Sequence, residues 1–352
     1  MTVSVANLIR RGASRRLVSA AQNTRSYSTP TAKPITIVEV GPRDGLQNEK
    51  GVIPASVKAD LINRLARAGM WHIEAGSFVS PKWVPQMAGT AEVISMIDPQ
   101  PNTQYSVLVP NSKGLADLVA ISPSPISEIA IFTAATDAFA LANTNTTVAA
   151  SLERLAPVAA AARAQGLRVR GYVSVVITCP YSGKVDPARV RHVTQELINM
   201  GCYEVSLGDT VGTGTPATIS TMLEEVGKSV PPEKLAGHYH DTFGMGVANI
   251  FASLKHGIRT FDASVGGLGG CPYSPGATGN VATEDVLYAL RGSSYEVAHA
   301  DLDEVAKVGW WISDVLARQN TSRVGKALWA RKEREEEERR RKGEQGEVKV
   351  KL

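Results

Sequence analysis

The stretch "SVKADLINRLARAGMWHIEAGSF" (residues 56–78) sets two patterns in a fixed order. Ile62, Leu65 and Ala66 recur at helical spacing, Gly69 stops the helix, and "WHIEAGSF" follows as a short strand run. From Thr36 onward the same alternation of strand, turn and amphipathic stretch repeats. Eight runs read as strands: "ITIVEV", "WHIEAGSF", "QYSVLVP", "EIAIFTAA", "VRGYVSVV", "YEVSLGD", "AGHYHDT" and "TFDASVGG". Between them, "VAASLERLAPVAAAARAQG", "PARVRHVTQELINMG" and "TPATISTMLEEVG" carry helical spacing of apolar residues. Eight β-then-α units predict an α/β fold of the (β/α)8 TIM-barrel type. The alternative, a doubly wound sheet, normally has fewer strands, and no G-x-G-x-x-G follows the first run.

At 352 residues and 43% apolar, the chain can bury a large core as two domains or as one barrel. The barrel is expected over residues 34–297. A C-terminal helical extension, 298–328, follows with "LDEVAKVGWWISDVLARQ", where Trp310 and Trp311 cover apolar surface. Residues 329–352 read as a charged, solvated tail in which Glu335 to Glu338 each precede Arg339, Arg340, Arg341 or Lys342 by four positions.

The net charge of +4 is local in origin. Residues 1–30 hold Arg10, Arg11, Arg15, Arg16 and Arg25 and no acid, the composition of a mitochondrial transit peptide addressed to the import machinery. The matrix is the expected compartment. The final "VKL" supports a peroxisomal address only weakly, because Val350 stands where a small residue belongs. A nucleic-acid-binding arm is the other reading of the basic segment, but no later basic or aromatic cluster supports it. No apolar run approaches the ~20 residues of a membrane span. Three cysteines without regular spacing argue against a disulfide framework.

In a barrel of this kind, polar residues at the carboxyl ends of strands face the active site. Strand 1 delivers Arg43 and Asp44, with Gln47 and Lys50 in its loop, although "RDG" alone also suits a plain turn. Strand 2 ends at Glu74, a carboxylate that needs a partner and finds it in Arg43, and Ser77 follows. Strand 6 brings Asp209 and Thr210. In "GHYHDT", alternation sets His238 and His240 on one face, about 7 Å apart along the chain, with Tyr239 opposite. His72, His192, His256 and His299 stand alone and read as structural.

Two imidazoles, the Asp44 carboxylate and the Asn280 carbonyl form a mixed N/O donor set, which favours Mg2+ or Mn2+. The same two-His, one-carboxylate pattern also fits Fe2+ oxygenases, whereas zinc fits this count less well. Cys202 falls at the bottom of the barrel as a filler, and Cys179 lies just past strand 5 in a Pro-flanked turn. Cys271 sits in the glycine loop "GGLGGCPYSPGATGN" (266–280), beside the proposed cation.

"VGPRDGLQNEK", "SFVSPKWVPQM", "SLGDTVGTGTP", "GHYHDTFGMG" and "GGLGGCPYSPGATGNVATED" resemble the 3-hydroxy-3-methylglutaryl-CoA lyase family over most of residues 34–325. The cysteine-bearing loop is the narrower signal, since "RDG" and "HxH" mark only the wider superfamily. The resemblance implies retro-Claisen cleavage of a CoA thioester to acetyl-CoA and acetoacetate, in leucine degradation and ketone-body formation. It implies no organic cofactor beyond CoA, and a homodimer. By matching positions, Asp44, His238, His240 and Asn280 hold the cation, Arg43 stabilises the enolate, Glu74 and Asp209 orient the site, and Cys271 acts as acid or base. Gln47, Lys50, Ser77 and Thr210 are expected to contact substrate. A late cysteine is absent from the tail, which leaves thiol regulation between subunits unsupported. Two other readings stand beside this one: an aldolase or Claisen synthase acting on a 2-oxo acid, and a silent barrel that only binds CoA esters.

Overall fold

The computed structural model describes residues 33–49, 51–270 and 279–350, with side chains described as far as 341. Eight parallel strands close into a barrel in chain order: β1 (Thr36–Glu39), β2 (His72–Ser77), β3 (Gln104–Leu108), β4 (Ile126–Ala134), β5 (Arg168–Ser174), β6 (Glu204–Asp209), β7 (Leu235–Tyr239) and β8 (Thr260–Ala263). Each coincides with one of the eight runs read from sequence. β8 pairs with β1, Thr260 against Thr36 and Ala263 against Glu39, which seals the ring. β2 continues past Glu74 to Ser77 through a register shift against β3, so the strand outlasts its expected end.

The helices form because their apolar stripes match the barrel wall and their ends are satisfied. In Ala55–Arg67, Leu61, Ile62 and Leu65 are fully buried, each contributing about 1.5–3 kcal/mol of transfer free energy. Asn111, Thr147, Asp186, Thr215 and Asp301 cap five helices by accepting a backbone N–H with their side chains. A short parallel pair, Lys33–Pro34 with Tyr295–Glu296, ties the start of the described chain to the end of the last barrel unit.

Two helices follow, Leu302–Val315 and Arg323–Val350. The second runs through position 329 into the charged stretch read as a solvated tail, and i,i+4 pairs such as Arg331–Glu335 support its exposed part. Trp310 packs on Trp329 at 4.9 Å between ring centroids, and Arg64 lies over Trp311 at 4.3 Å. Among the described residues, no helix is long and apolar enough to cross a membrane.

Two glutamates are sealed where the chain leaves β1 and β8. Glu39 Oε1 accepts the N–H groups of Gly41 and Val265, and its Oε2 accepts Thr283 Oγ1–H at 2.6 Å. Glu284 takes the Gly266 N–H on its carboxylate at 2.9 and 3.0 Å. Burial, only partly offset by these bonds, lifts Glu39 to about 7 and Glu284 to about 8. Between pH 6.5 and 8 the folded protein therefore keeps protons that the unfolded chain, with glutamates near 4.5, has already lost. Stability is expected to fall as pH rises through this window, by up to ~1.4 kcal/mol per pH unit for each group still protonated. Urea midpoints measured across the window should show that slope, and Glu284→Gln should flatten it; an unchanged slope would remove Glu284 as its source.

Candidate active site

β1 runs directly into a single π turn, Gly41–Gly45, rather than the β-turn that Asp-Gly allows. The turn delivers Arg43 and Asp44 side by side, both buried. Gly45 permits it: a Cβ there would meet the Leu268 Cβ at 2.7 Å. Arg43 then forks. Its Nε and Nη2 reach Glu74 Oε2 at 2.7 and 2.6 Å, and its Nη1 reaches Asp44 Oδ1 at 2.5 Å. Gln47 Nε2 donates to Asp44 Oδ1 at 2.9 Å. Burial pushes Asp44 up, but Arg43, His238, His240 and Asn280 together hold it below the usual carboxylate range.

β7 carries His238, and His240 follows it on the same side with ring centroids 5.3 Å apart. Tyr239 turns away into the wall, where its hydroxyl meets Ser253 Oγ at 2.7 Å. One donor atom each from Asp44, His238 and His240 falls within 4.8 Å of the others. Asn280 joins them, since its backbone bridges to His240 and its Nδ2 donates to Asp44 Oδ2 at 2.7 Å. The amide nitrogen thus meets Asp44, and a half-turn of the carboxamide would present the oxygen instead.

His238 is held from behind. Its Nδ1 lies 3.0 Å from Asp262 Oδ2, the hydrogen bond that directs Nε2 toward Asp44 and His240. Asp262, on β8, also accepts Ser206 Oγ–H at 2.8 Å and Arg170 Nη2–H at 2.8 Å. Burial opposes ionisation of Asp262, yet Arg170 and His238 bring it down to about 2. Arg170, 1% exposed, continues the chain of contacts to Glu204 and to the Tyr172 hydroxyl. That hydroxyl lies 3.4 Å from Glu74 Oε2, and both guanidinium groups, those of Arg43 and Arg170, face the Tyr172 ring. Sequence reading missed Asp262, Arg170, Tyr172, Glu204 and Ser206. The available signal was a carboxylate inside "TFDASVGG" and a cation inside "VRGYVSVV", both on strands with no exposed face.

Other expected site residues lie elsewhere or are differently engaged. Asp209 is fully buried at the end of β6 and raised to about 6 by burial, and among the described residues neither its Oδ1 nor Glu74 Oε1 has a hydrogen-bond partner. Ser77 Oγ accepts the Val79 N–H within its own loop, and Thr210 Oγ1 accepts the Val175 N–H, which links the loop after β6 to the loop after β5. Lys50 and Cys271 fall outside the described residues, as does the N-terminal basic segment. Cys202 is a buried filler pushed up to about 12 by burial, and Cys179 is buried in a small hairpin where Thr136 Oγ1 donates to its Sγ at 3.2 Å. His299 stacks on Trp71, in keeping with a structural role.

A family model described as HMGL-like matches residues 34–310. The chain is 52% identical over 299 residues to a 3-hydroxy-3-isohexenylglutaryl-CoA/hydroxy-methylglutaryl-CoA lyase of Pseudomonas aeruginosa, covering 85% of this chain and 98% of that one. It is 48% identical over 317 residues to the mitochondrial hydroxymethylglutaryl-CoA lyase of Bos taurus, covering 89% and 96%. Among solved structures, a hydroxymethylglutaryl-CoA lyase from Pseudomonas aeruginosa superposes with a TM-score of 0.82 at 51% identity, over 86% of this chain and 99% of that one.

Proposed function

This chain belongs to the HMGL-like family, and from that premise we propose how its site works. The protein is a carbon–carbon lyase that cleaves 3-hydroxy-3-methylglutaryl-CoA to acetyl-CoA and acetoacetate. The observation that carries the proposed mechanism is the convergence of Asp44, His238 and His240 beside the Arg43–Glu74 pair. The donor set fits a divalent cation: an ionised carboxylate, two imidazoles, and a carboxylate fixing the far nitrogen of one of them. Nitrogen and oxygen donors without thiolate favour Mg2+ or Mn2+, with Asn280 as the fourth ligand through its amide oxygen. When bound, the cation supplies Lewis-acid polarisation of the substrate oxygens.

The reaction must strip a proton from the tertiary hydroxyl, break a carbon–carbon bond and protonate an enolate. Asp209, buried at the end of β6, is proposed to orient the site, and the hydroxyl proton passes to His238, Asp44 or a bound water. Arg43 meets the charge that develops on the thioester enolate, and Glu74 holds the guanidinium in place. Cys271 lies between the described stems at Gly270 and Gly279 and is proposed as the proton donor to the enolate. Gln47, Lys50, Ser77 and Thr210 are proposed to line the thioester path.

Residues 1–30 are proposed to address the chain to the mitochondrial matrix, consistent with a relative named mitochondrial. The homodimer is proposed from family resemblance alone.

The deciding experiment incubates the purified chain with 3-hydroxy-3-methylglutaryl-CoA and identifies the products with and without a chelator. Acetoacetate and acetyl-CoA should appear in equal amounts, vanish with chelator, and return on adding Mg2+ or Mn2+. Turnover that ignores the chelator would sink the cation reading. Cleavage of 2-oxo acids in place of the thioester would favour an aldolase.

A further inference from the structure

The two helices that follow the barrel are joined by a connector, residues 316–322, that lies against the loop after β8. Thr321 N–H donates to the Gly266 carbonyl at 3.0 Å, and its Oγ1 lies 3.1 Å from the carbonyls of both Gly266 and Gly267. Those glycines both have φ of +62°, a left-handed conformation that keeps the carbonyls turned toward the connector. Arg318 is placed differently from its neighbours. Its Nη1 pairs with Glu49 Oε1 at 2.5 Å while its Nη2 lies 3.5 Å from the Gly267 carbonyl, and both charged side chains are only 18% exposed.

Glu49 belongs to the loop that starts with Asp44, and Gly267 to the loop that returns through Asn280. Arg318 therefore spans the two loops, which Asn48 Nδ2 to the Gly270 carbonyl at 3.3 Å and Asn280 to Asp44 also join. On the far side of the connector, Arg323 Nη1 pairs with Asp241 Oδ2 at 2.9 Å, one residue past His240. The connector thus touches the loops of Asp44 and Asn280, and Arg323, the first residue of the helix that follows it, touches the loop of His240.

We propose that Arg318 is a positioning residue for the cation site, setting the separation of the Asp44 and Asn280 loops and making the C-terminal connector part of the active site. The proposal rests on the reading of Asp44 and Asn280 as ligands. Geometry explains the residue type: a planar guanidinium addresses a carboxylate and a carbonyl at once, whereas an ammonium is a point charge that serves one of them well. Outer contacts that orient metal ligands typically change metal affinity by about 10–100-fold.

The test is Mn2+ binding to the full-length chain, followed by the EPR signal of free Mn2+, alongside thermal melting. Arg318→Ala and Glu49→Gln should each weaken Mn2+ binding about tenfold, the double variant should be no weaker than either single one, and Arg318→Lys should recover only part. Melting temperatures should stay close to the parent, and if Arg318→Ala does not fold, Glu49→Gln carries the comparison. Parent-like Mn2+ affinity in the folded variants, or strictly additive losses, would overturn the proposal. A parent chain that binds no Mn2+ would overturn the ligand reading itself, and this inference with it.

Discussion

Asp44→Asn is expected to lower kcat by about 10³-fold, roughly 4 kcal/mol of lost transition-state stabilisation. The substitution keeps volume and shape, so the effect isolates charge. Asp44 Oδ1 accepts from Arg43 and Gln47, and Oδ2 accepts from Asn280. An asparagine must turn its amide nitrogen toward one of those donor sets, placing donor against donor in a buried space. It also removes the negative charge shared by two imidazoles and any cation between them. Mn2+ affinity should fall together with kcat, while the melting temperature distinguishes a folded variant from a collapsed one. A folded Asp44→Asn enzyme with kcat within threefold of the parent and normal Mn2+ binding would remove Asp44 from the ligand set.

The barrel was legible because each strand run is flanked by a helix whose spacing differs from its own, and that contrast survives in a single sequence. Arg43 and Glu74 were pairable for a related reason: they leave adjacent strands at the same end, and one carries the charge the other lacks. The network behind His238 was not. Arg170 and Asp262 are 92 residues apart on strands that are not neighbours, and they meet only because their side chains cross the barrel interior. Alternation tells which face a residue takes, but strand stagger decides which inward residues share a layer. The connector was illegible for a further reason. Part of its hold is on the backbone carbonyls of Gly266 and Gly267, and a backbone group leaves no mark on residue type.

The network also changes what a conservative substitution means in this site. Tyr172 lies between the Arg43 and Arg170 guanidinium groups, so the side holding the imidazole and the side holding the enolate-facing cation are braced by one ring. Removing one partner of such a buried pair strands the other charge, at a typical cost of about 3–5 kcal/mol. Loss of activity in an Arg170 variant would therefore confound chemistry with folding. Arg43 is the cleaner probe, because its principal partner can give up its charge.

Arg43→Gln is expected to reduce kcat by about 10²–10³-fold, the range seen when a fixed donor to a developing oxyanion is removed. Glu74 is fully buried, and burial, helped by the Asp262 and Asp44 charges, raises its pKa, with Arg43 as the main force holding it down. Without the guanidinium Glu74 takes a proton, so the variant avoids a stranded charge and should fold. Its defect is then catalytic: neutral glutamine cannot meet the enolate charge, and KM should change far less than kcat because the ground-state thioester carries no such charge. Arg43→Lys restores the positive charge but not the fork that grips Glu74 by Nε and Nη2 and Asp44 by Nη1. It should recover less than about tenfold of the loss. Steady-state kinetics on both variants, with melting curves beside them, make the comparison. An effect confined to KM, or full recovery by lysine, would show that Arg43 binds substrate as a simple charge and leaves the enolate to another group.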